Sequence, residues 1–250
     1  LSLHDALPIL INQDNKGESK MKKKTLVTLF AGTAILGASI APAAAHATTT
    51  GTTPANVEMT SGSLPPDGTG DGDGDTQDPD PANPNTNFDL LYVPTEFKFA
   101  ATEVSSDLSA ISLDAKGTQT KRYAVGDVRG TQAGWSVTAG VAEMKNGTAT
   151  LEGSITFTQT GAVAKYNETA KTYSRDVAAF AADPGSPEFA GTTIPVGGAA
   201  VSIATAAVGK GQGTWDSELS NVKLNITTPS SQITNGAYTG NVTWTLVAAP

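Results

Sequence analysis

The feature that most constrains the fold is an alternation of apolar and polar residues with a period of two. It is clearest in three stretches, in each of which the apolar positions share a face: Leu151, Ile155 and Phe157; Val222, Leu224 and Ile226; Val242, Trp244 and Leu246. Successive side chains of a β-strand point to opposite faces of a sheet, so this period predicts half-buried strands rather than helices. Threonine, serine and valine fill the alternate positions, as pleated surfaces favour.

Turn residues separate these stretches at short intervals. Asn146-Gly147 and Asn235-Gly236 each predict a hairpin turn between strand-like segments. Residues 177–182 predict one short helical turn, and residues 199–208 fit either a helix or a strand. We therefore predict an all-β domain, a β-sandwich or a barrel-like fold, over residues 88–250.

The N-terminal part of the chain predicts export rather than structure. Residues 21–47 combine a basic start, an apolar run and the small-residue sequence Ala45-His46-Ala47, the three parts of a secretory signal peptide. We interpret residues 1–20 as translated upstream sequence, because a signal peptide belongs at an N-terminus. Residues 48–87 follow the signal peptide. They predict one short strand over 56–60 and then, from Leu64, an extended, mobile linker rich in Asp, Pro and Gly.

The composition excludes several kinds of chemistry. The sequence has no cysteine, and both histidines, His4 and His46, precede the predicted mature chain. Disulfides, thiol nucleophiles, His or Cys zinc sites and Ser–His–Asp triads are therefore excluded. The net charge of −8 disfavours nucleic-acid binding, and no apolar stretch after Ala47 is long enough to span a membrane.

Three further patterns favour structural interpretations over catalytic ones. Asp71, Asp73 and Asp75 lack the glycine and glutamate of a calcium-binding loop, so we interpret them as a solvated acidic linker. Residues 209–215 are glycine-rich without the ending of a phosphate-binding loop, which predicts a flexible turn or bulge. The carboxylates that could serve a glycoside hydrolase have no pattern that pairs them: Glu143, Glu152, Glu168, Asp183, Glu188, Asp216 and Glu218. We expect no enzymatic activity, no cofactor and no metal.

Two tryptophan motifs carry a resemblance to a known family. Residues 127–138, read as Asp-x-Arg-Gly-x-x-x-Gly-Trp-x-Val, resemble the first signature of the WxL-domain surface proteins of low-GC Gram-positive bacteria, with Val137 where leucine is usual. Residues 243–246, followed by Ala249-Pro250, resemble the second signature, and residues 213–215 resemble an element between the two. The positions that carry the resemblance are Asp127, Arg129, Gly130, Gly134, Trp135, Val137, Trp215, Trp244 and Leu246.

The resemblance implies a secreted domain that attaches non-covalently to the cell wall, through peptidoglycan, and that the final strand completes. An alternative is an adhesin or a surface-complex subunit whose ligand is a companion surface protein or host extracellular matrix. The role of the tryptophans stays open at this point. They can be flat platforms for sugar rings, or core residues, which the apolar neighbours of Trp244 favour.

Overall fold

A computed structural model describes residues 50–71, 75–104, 111–116 and 120–249. The chain divides into two compact units, Leu1–Pro54 and Ala55–Pro250. Only residues 50–54 of the first unit belong to the described part, so every element below lies in the second unit. The predicted signal peptide and the segment before it lie outside the described residues.

The regular secondary structure in the described part of the second unit consists almost entirely of strands, which confirms the predicted all-β class. The fourteen strands are β1 Thr69–Gly70, β2 Thr76–Gln77, β3 Phe88–Pro94, β4 Ile111–Asp114, β5 Lys121–Asp127, β6 Trp135–Val141, β7 Met144–Asn146, β8 Ala149–Leu151, β9 Gly153–Asn167, β10 Thr172–Asp176, β11 Thr193–Val196, β12 Val201–Ala206, β13 Gly213–Ile226 and β14 Val242–Ala248. One α-helix, α1 Val177–Ala182, and one 3-10 helix, Ser230–Gln232, complete the described elements.

Twelve strands form one open, mostly antiparallel sheet. Its main path runs β12-β6-β11-β9-β13-β5-β3-β2, with β4 also pairing with β13 and β10 with β9. The long strands β9 and β13 pair along most of their length, so they form the backbone of the sheet. The last strand, β14, pairs with β6 over its whole length, from Val242 opposite Val141 to Ala248 opposite Trp135.

The middle of the sheet is buried on both faces. In β5, Tyr123 and Val125 belong to the main hydrophobic core, whereas Ala124 between them belongs to a second, smaller core. Because neighbouring residues of a strand face opposite ways, two separate layers must cover this strand. The second core also contains Leu64, Leu91, Tyr92, Ala164 and Tyr173.

Part of the cover over the second core comes from the segment predicted to be a mobile linker. Leu64 is 5% exposed, and its side chain packs so closely on Gly126 that a Cβ there would be 2.5 Å from Leu64 Cδ2. The Gly62 amide donates to the Val128 carbonyl at 2.8 Å, and the Leu64 amide to the Thr86 carbonyl at 2.9 Å. The sequence hides this role because backbone hydrogen bonds, rather than a run of apolar residues, hold the segment in place.

Two local predictions are confirmed. Residues 177–182 form the helix α1, whose N-cap Asp176 accepts a hydrogen bond from the Ala179 amide at 2.8 Å. Asn146-Gly147 joins β7 and β8 in a hairpin, with Gly147 at φ 60° as such turns require. The ambiguous residues 199–208 contain the strand β12.

Two other local predictions are wrong. Residues 56–60 form no strand, since Val57 and Met59 are more than 80% exposed and have no partner strand among the described residues that could bury them. Nor does Asn235-Gly236 join any two strands of the described part. Instead, the Asn235 carbonyl accepts a hydrogen bond from Asn146 Nδ2 at 3.1 Å, so the two Asn-Gly sequences contact each other.

Candidate functional site

The first motif begins with an ion pair at the end of β5. The Arg129 guanidinium binds the buried Asp127 carboxylate through two bonds, Nε to Oδ1 at 2.9 Å and Nη2 to Oδ2 at 2.7 Å. It also donates to the Gly134 carbonyl at 3.2 Å and lies 3.8 Å from the centre of the Phe88 ring. The bond to Asp127 raises the pKa of Arg129 above its usual value. Asp127 and Arg129 therefore fix the path of the loop that enters β6.

The two glycines of this motif have different requirements. Both have positive φ, 75° at Gly130 and 83° at Gly134, which glycine adopts without strain. Around Gly130 there is open space, so only its backbone conformation matters. At Gly134 a Cβ would lie 2.3 Å from the Ala206 carbonyl oxygen, so this position also requires a bare backbone next to β12.

Trp135 and Trp215 converge on one backbone carbonyl. Trp135 is 1% and Trp215 2% exposed, and each indole Nε1–H donates to the Gly211 oxygen at 2.9 Å. Gly211 has φ 78°, and a Cβ there would lie 2.3 Å from Ala206 Cβ and 2.5 Å from Trp135 Nε1. The glycine-rich loop is thus a buried anchor for two tryptophans rather than the flexible turn that its composition predicts.

The second motif lies on β14. Leu246 is opposite Val137 and Trp244 is opposite Ala139, so β14 brings the second motif against β6 of the first. Val137 is fully buried, which places the unusual valine in the core. Trp244 is half-buried, and its ring centre lies 5.0 Å from that of Tyr123 and 6.5 Å from that of Phe97.

A row of aromatic rings joins the two tryptophan sites through the main core. Successive ring centres along the row are 5.0–6.5 Å apart, a distance at which aromatic side chains attract one another. The row, in order, is Phe97, Trp244, Tyr123, Phe189, Phe180 and Trp215. It connects Trp244 at the surface with Trp215 in the interior.

An open groove of about 920 Å³ adjoins Trp244. The groove lies between β14 and residues 93–104, and its floor includes Ile155 and Leu224 of the central strands. Four aromatic side chains line it: Phe97, Phe99, Tyr238 and Trp244. Its lining combines these apolar side chains with polar and charged ones, among them Glu96, Lys98 and Asn241. A concave surface that offers both kinds of group is a usual form of a ligand site.

A buried ion network lies on the opposite face of the sheet. Asp216, which is 0% exposed, pairs with Arg122 Nη2 at 2.9 Å and with Arg175 Nε at 2.5 Å, and the Tyr92 hydroxyl donates to it as well. Arg122 also binds the Asp71 carboxylate at 2.7 Å, and Arg175 binds Glu218 at 2.9 Å. The network thereby ties residue 71 of the N-terminal segment to β13.

The pKa values in this network follow from burial and charge. Burial, with the negative charge of Asp216 adding to it, raises the pKa of Tyr92 well above its usual value. Burial lowers the pKa of Arg122, but the attraction of Asp216 outweighs it, so the pKa of Arg122 is raised. Of the seven carboxylates considered from the sequence, Asp216 and Glu218 are brought together around Arg175, where Asp216 is inaccessible to a substrate.

Over the described ranges, no group of three or more His, Cys, Asp or Glu side chains has the geometry of a metal site. Nor does any helix within the described ranges have the length and apolar character needed to cross a membrane. Asp73 of the acidic run lies outside the described residues.

The open β-sheet, the buried motifs and the aromatic groove are together those of a binding module. The family model described as "WxL domain surface cell wall-binding" matches residues 46–250, and the chain belongs to this family. The family is one of cell-surface binding domains, non-enzymatic in kind. No curated protein and no solved structure matches the chain.

Sequence reasoning missed the residues that complete these sites. The carbonyl of Gly211 carries no signal of its own, although the Gly-x-Gly-x-Gly spacing over 209–213 marks a backbone with unusual φ values. Tyr123 and Phe97 come from distant parts of the chain, and only the strand pairing brings them to Trp244. The Asp216 network likewise unites side chains from four strands.

Proposed function

We propose that the protein is exported and attaches non-covalently to the peptidoglycan of a Gram-positive cell wall. The match of residues 46–250 to a surface cell wall-binding family carries this proposal. We further propose that the polymer enters the groove beside Trp244. That residue is the one motif tryptophan with an accessible ring, since Trp135 and Trp215 are buried.

The chemistry of the groove supports this choice of surface. Aromatic rings offer flat apolar faces on which the C–H faces of sugar rings can pack, and an indole N–H is available for a polar contact. Trp244, Phe97 and Tyr238 present such rings, and Asn235 and Asn241 contribute amides to the lining. A glycopeptide polymer could use both kinds of group. Its sugars could pack on the aromatic rings, and its peptides could form hydrogen bonds with the amides.

The remaining motif residues act by positioning rather than by contact. Asp127, Arg129 and Gly134 fix the loop before β6, whereas Trp135 and Trp215 anchor the glycine-rich loop. Val137 and Leu246 pair β6 with β14. Substitution of any of them is expected to weaken wall binding only to the extent that it disturbs the fold.

The test is sedimentation of the processed protein, expected to begin at Thr48, with protein-free sacculi stripped of teichoic acids. The informative variant is Trp244→Leu, which keeps an apolar residue on β14 and removes the ring. Thr245→Ala is the matched control, because Thr245 lies on the same strand and its side chain is exposed on the other face. We expect the wild type and Thr245→Ala to sediment and Trp244→Leu to remain in solution. Circular dichroism and unfolding midpoints must show that all three are folded.

The other possible outcomes would exclude either the groove or the wall itself. A folded Trp244→Leu variant that sediments like the wild type would exclude the groove as the contact surface. A folded wild type that fails to sediment would exclude the wall as the direct ligand. Binding that then appears only with a surface-protein extract or host matrix would support the adhesin or surface-complex alternative. Deletion of β14 is a poor test, because it would remove the partner with which β6 pairs along its whole length.

A further inference from the structure

Among the residues that the structure describes, the strand β14 is paired along only one of its two edges. Within the described residues, its partner is β6. The Ala249 amide donates to the Gly134 carbonyl at 3.1 Å in the same register, so the odd-numbered residues of β14 exchange the hydrogen bonds with β6. Val141, which is opposite the even-numbered Val242, shows the same alternation. Its carbonyl points away from β14 and accepts a hydrogen bond from the Gly197 amide at 2.8 Å. The backbone groups of Trp244 and Leu246 therefore point outward, away from β6.

This outward edge lacks the features that usually prevent strands from pairing. Natural edge strands are commonly protected by lysine, by proline or by a bulge. The sequence of β14, Val-Thr-Trp-Thr-Leu-Val-Ala, has neither residue, and its register with β6 is unbroken. From Leu224 to Pro250 the sequence contains no Asp, Glu, Lys or Arg. Val247 adds an apolar side chain that is 49% exposed.

A second copy of the chain fits this edge, because the strand is uncharged and can pair with itself in an antiparallel register. The chain has a net charge of −8, so most faces of two copies repel each other. The strand β14 itself carries no charge, so pairing it with the β14 of a second copy places no like charges of the two strands opposite each other. We propose that two copies pair through antiparallel β14 strands about a two-fold axis, which joins their sheets into one.

The register of this pair follows from the outward backbone groups. In an antiparallel pair, residues whose backbone groups point outward must lie opposite each other. Placing Trp244 opposite Leu246 of the second copy meets this requirement. The same register places Val242 opposite Ala248 and Thr245 opposite its own copy on the axis. All seven residues of the strand are then paired. The pairs include an aromatic–aliphatic contact and a threonine–threonine contact, both of which favour strand pairing.

The first test is the mass of the protein in solution, measured by sedimentation equilibrium over a range of concentrations. A single strand pair buries little surface, so we expect a weak dimer whose average mass rises toward twice the monomer mass with concentration. Thr245→Lys and Thr245→Glu each place like charges opposite each other on the axis, so each alone should stay monomeric. An equimolar mixture of the two should regain the dimer.

The matched control is Thr205→Lys, which adds the same charge to an exposed threonine on β12. The edge of β12 is covered, because Thr205 and Glu188 exchange backbone hydrogen bonds. This variant should dimerise like the wild type. A wild type that stays monomeric at every soluble concentration would overturn the proposal, as would a Thr245→Lys variant that dimerises equally well.

A second test does not depend on the behaviour of the charged variants. The sequence has no cysteine, so Thr245→Cys introduces a single thiol. Directly opposite residues in such a pair have Cβ atoms about 4.5–5.5 Å apart, close enough for a disulfide after a small adjustment. Oxidation should link most of the Thr245→Cys protein into covalent dimers and leave Val247→Cys, which faces Thr243 of the second copy, mostly unlinked. Equal linkage of the two variants would contradict the register.

These measurements are independent of wall binding. They are made without wall material, because Trp244 lies both on β14 and in the lining of the groove. Failure to dimerise leaves the sacculus experiment unaffected. Conversely, a dimer that forms in solution stands even if sacculi are not bound.

Discussion

Two tryptophans that share one carbonyl explain why the loop between β12 and β13 needs a glycine at residue 211. The Gly211 oxygen accepts from both Trp135 and Trp215, and its α-carbon has no room for a side chain. Trp135 and Trp215 therefore serve packing, because they hold the glycine-rich loop against β6. Under the proposed function, contact with the wall polymer is left to Trp244, the motif tryptophan on the groove.

A glycine can be required for its backbone conformation or for lack of space for a side chain. Gly211→Ala and Gly130→Ala separate these two requirements. The two positions have nearly the same φ, 78° and 75°, but only Gly211 lacks space for a Cβ. We expect Gly130→Ala to lower the free energy of unfolding by about 1 kcal/mol through backbone strain. Gly211→Ala should cost about 1–3 kcal/mol more through overpacking. Urea unfolding of both variants measures the difference, and equal losses would contradict the proposed anchor.

Asp216 gives a second prediction at the scale of single residues. Asp216→Ala leaves two arginines and a tyrosine hydroxyl without their shared acceptor, so we expect a loss of about 3–5 kcal/mol in the free energy of unfolding. Glu218→Gln is the control, because Glu218 also binds Arg175 but is partly exposed. Glu218→Gln should lower the free energy of unfolding by no more than about 1 kcal/mol. Guanidinium unfolding of the two variants tests the contrast, and similar losses would show that burial of the acid is not decisive.

Individual elements differ in how far the sequence predicts them. The strands β9, β13 and β14 are recognisable because their apolar residues alternate and one face is buried. The predicted strand at 56–60 alternates equally well, yet the described residues offer it no partner, and a single strand cannot satisfy its backbone. The cover formed by Gly62 and Leu64 shows the reverse case. One leucine and a few backbone hydrogen bonds are enough, and neither gives a periodic signal.

The candidate site is only partly predictable for a related reason. The motif residues are all recognisable in the sequence, since their spacing is local. Their separation into a buried group and one half-exposed tryptophan depends on which faces of β6, β13 and β14 are covered. That information lies in the order of strands in the sheet, which a single sequence does not contain.

The helix α1 yields a prediction that depends on pH. Hydrogen bonds from Lys165 and from the Ala179 amide lower the pKa of the Asp176 carboxyl. Folding thus favours the charged form, so the stabilisation is complete above the ordinary aspartate pKa and is lost as the pH falls through the lowered value. Asp176→Asn keeps a capping oxygen but not the charge, and Asp176→Ala keeps neither.

At neutral pH we expect the order of thermal midpoints to be wild type, then Asp176→Asn, then Asp176→Ala. The difference between the wild type and Asp176→Asn should shrink and then disappear as the pH falls through the lowered pKa of Asp176. Calorimetry at a series of pH values provides the measurement. A difference that persists unchanged in acid would exclude the charge as its source.

For the fold as a whole, we expect buried phenols to set the upper limit of the pH range in which it is stable. Burial raises the pKa of Tyr92, Tyr123 and Tyr173, helped in each case by a nearby acid or phenol. Folding favours the neutral form of each, so their contribution is complete below the ordinary tyrosine pKa near 10 and is lost as the pH rises further. Above that pH, the ionisation of each tyrosine can lower the free energy of unfolding by at most about 1.4 kcal/mol per pH unit.

Alkaline titration followed by the ultraviolet absorbance of tyrosinate, together with far-ultraviolet circular dichroism, tests this limit. We expect the absorbance of Tyr92, Tyr123 and Tyr173 to change only as the circular dichroism signal is lost. Replacement of each in turn by phenylalanine should remove its share of the late absorbance change. Ionisation of all three in a protein that keeps its full signal would contradict their burial.

The packing of Leu64 on Gly126 also decides where this domain can be joined to another protein. A composition-based boundary at Phe88 would remove Gly62 and Leu64 and leave the second core open to water, which invites aggregation. A cargo protein fused for display on the bacterial surface should therefore be attached upstream of Gly62, where residues 55–61 are exposed and form no strand. The exposed stretch would then serve as a natural spacer between cargo and anchor.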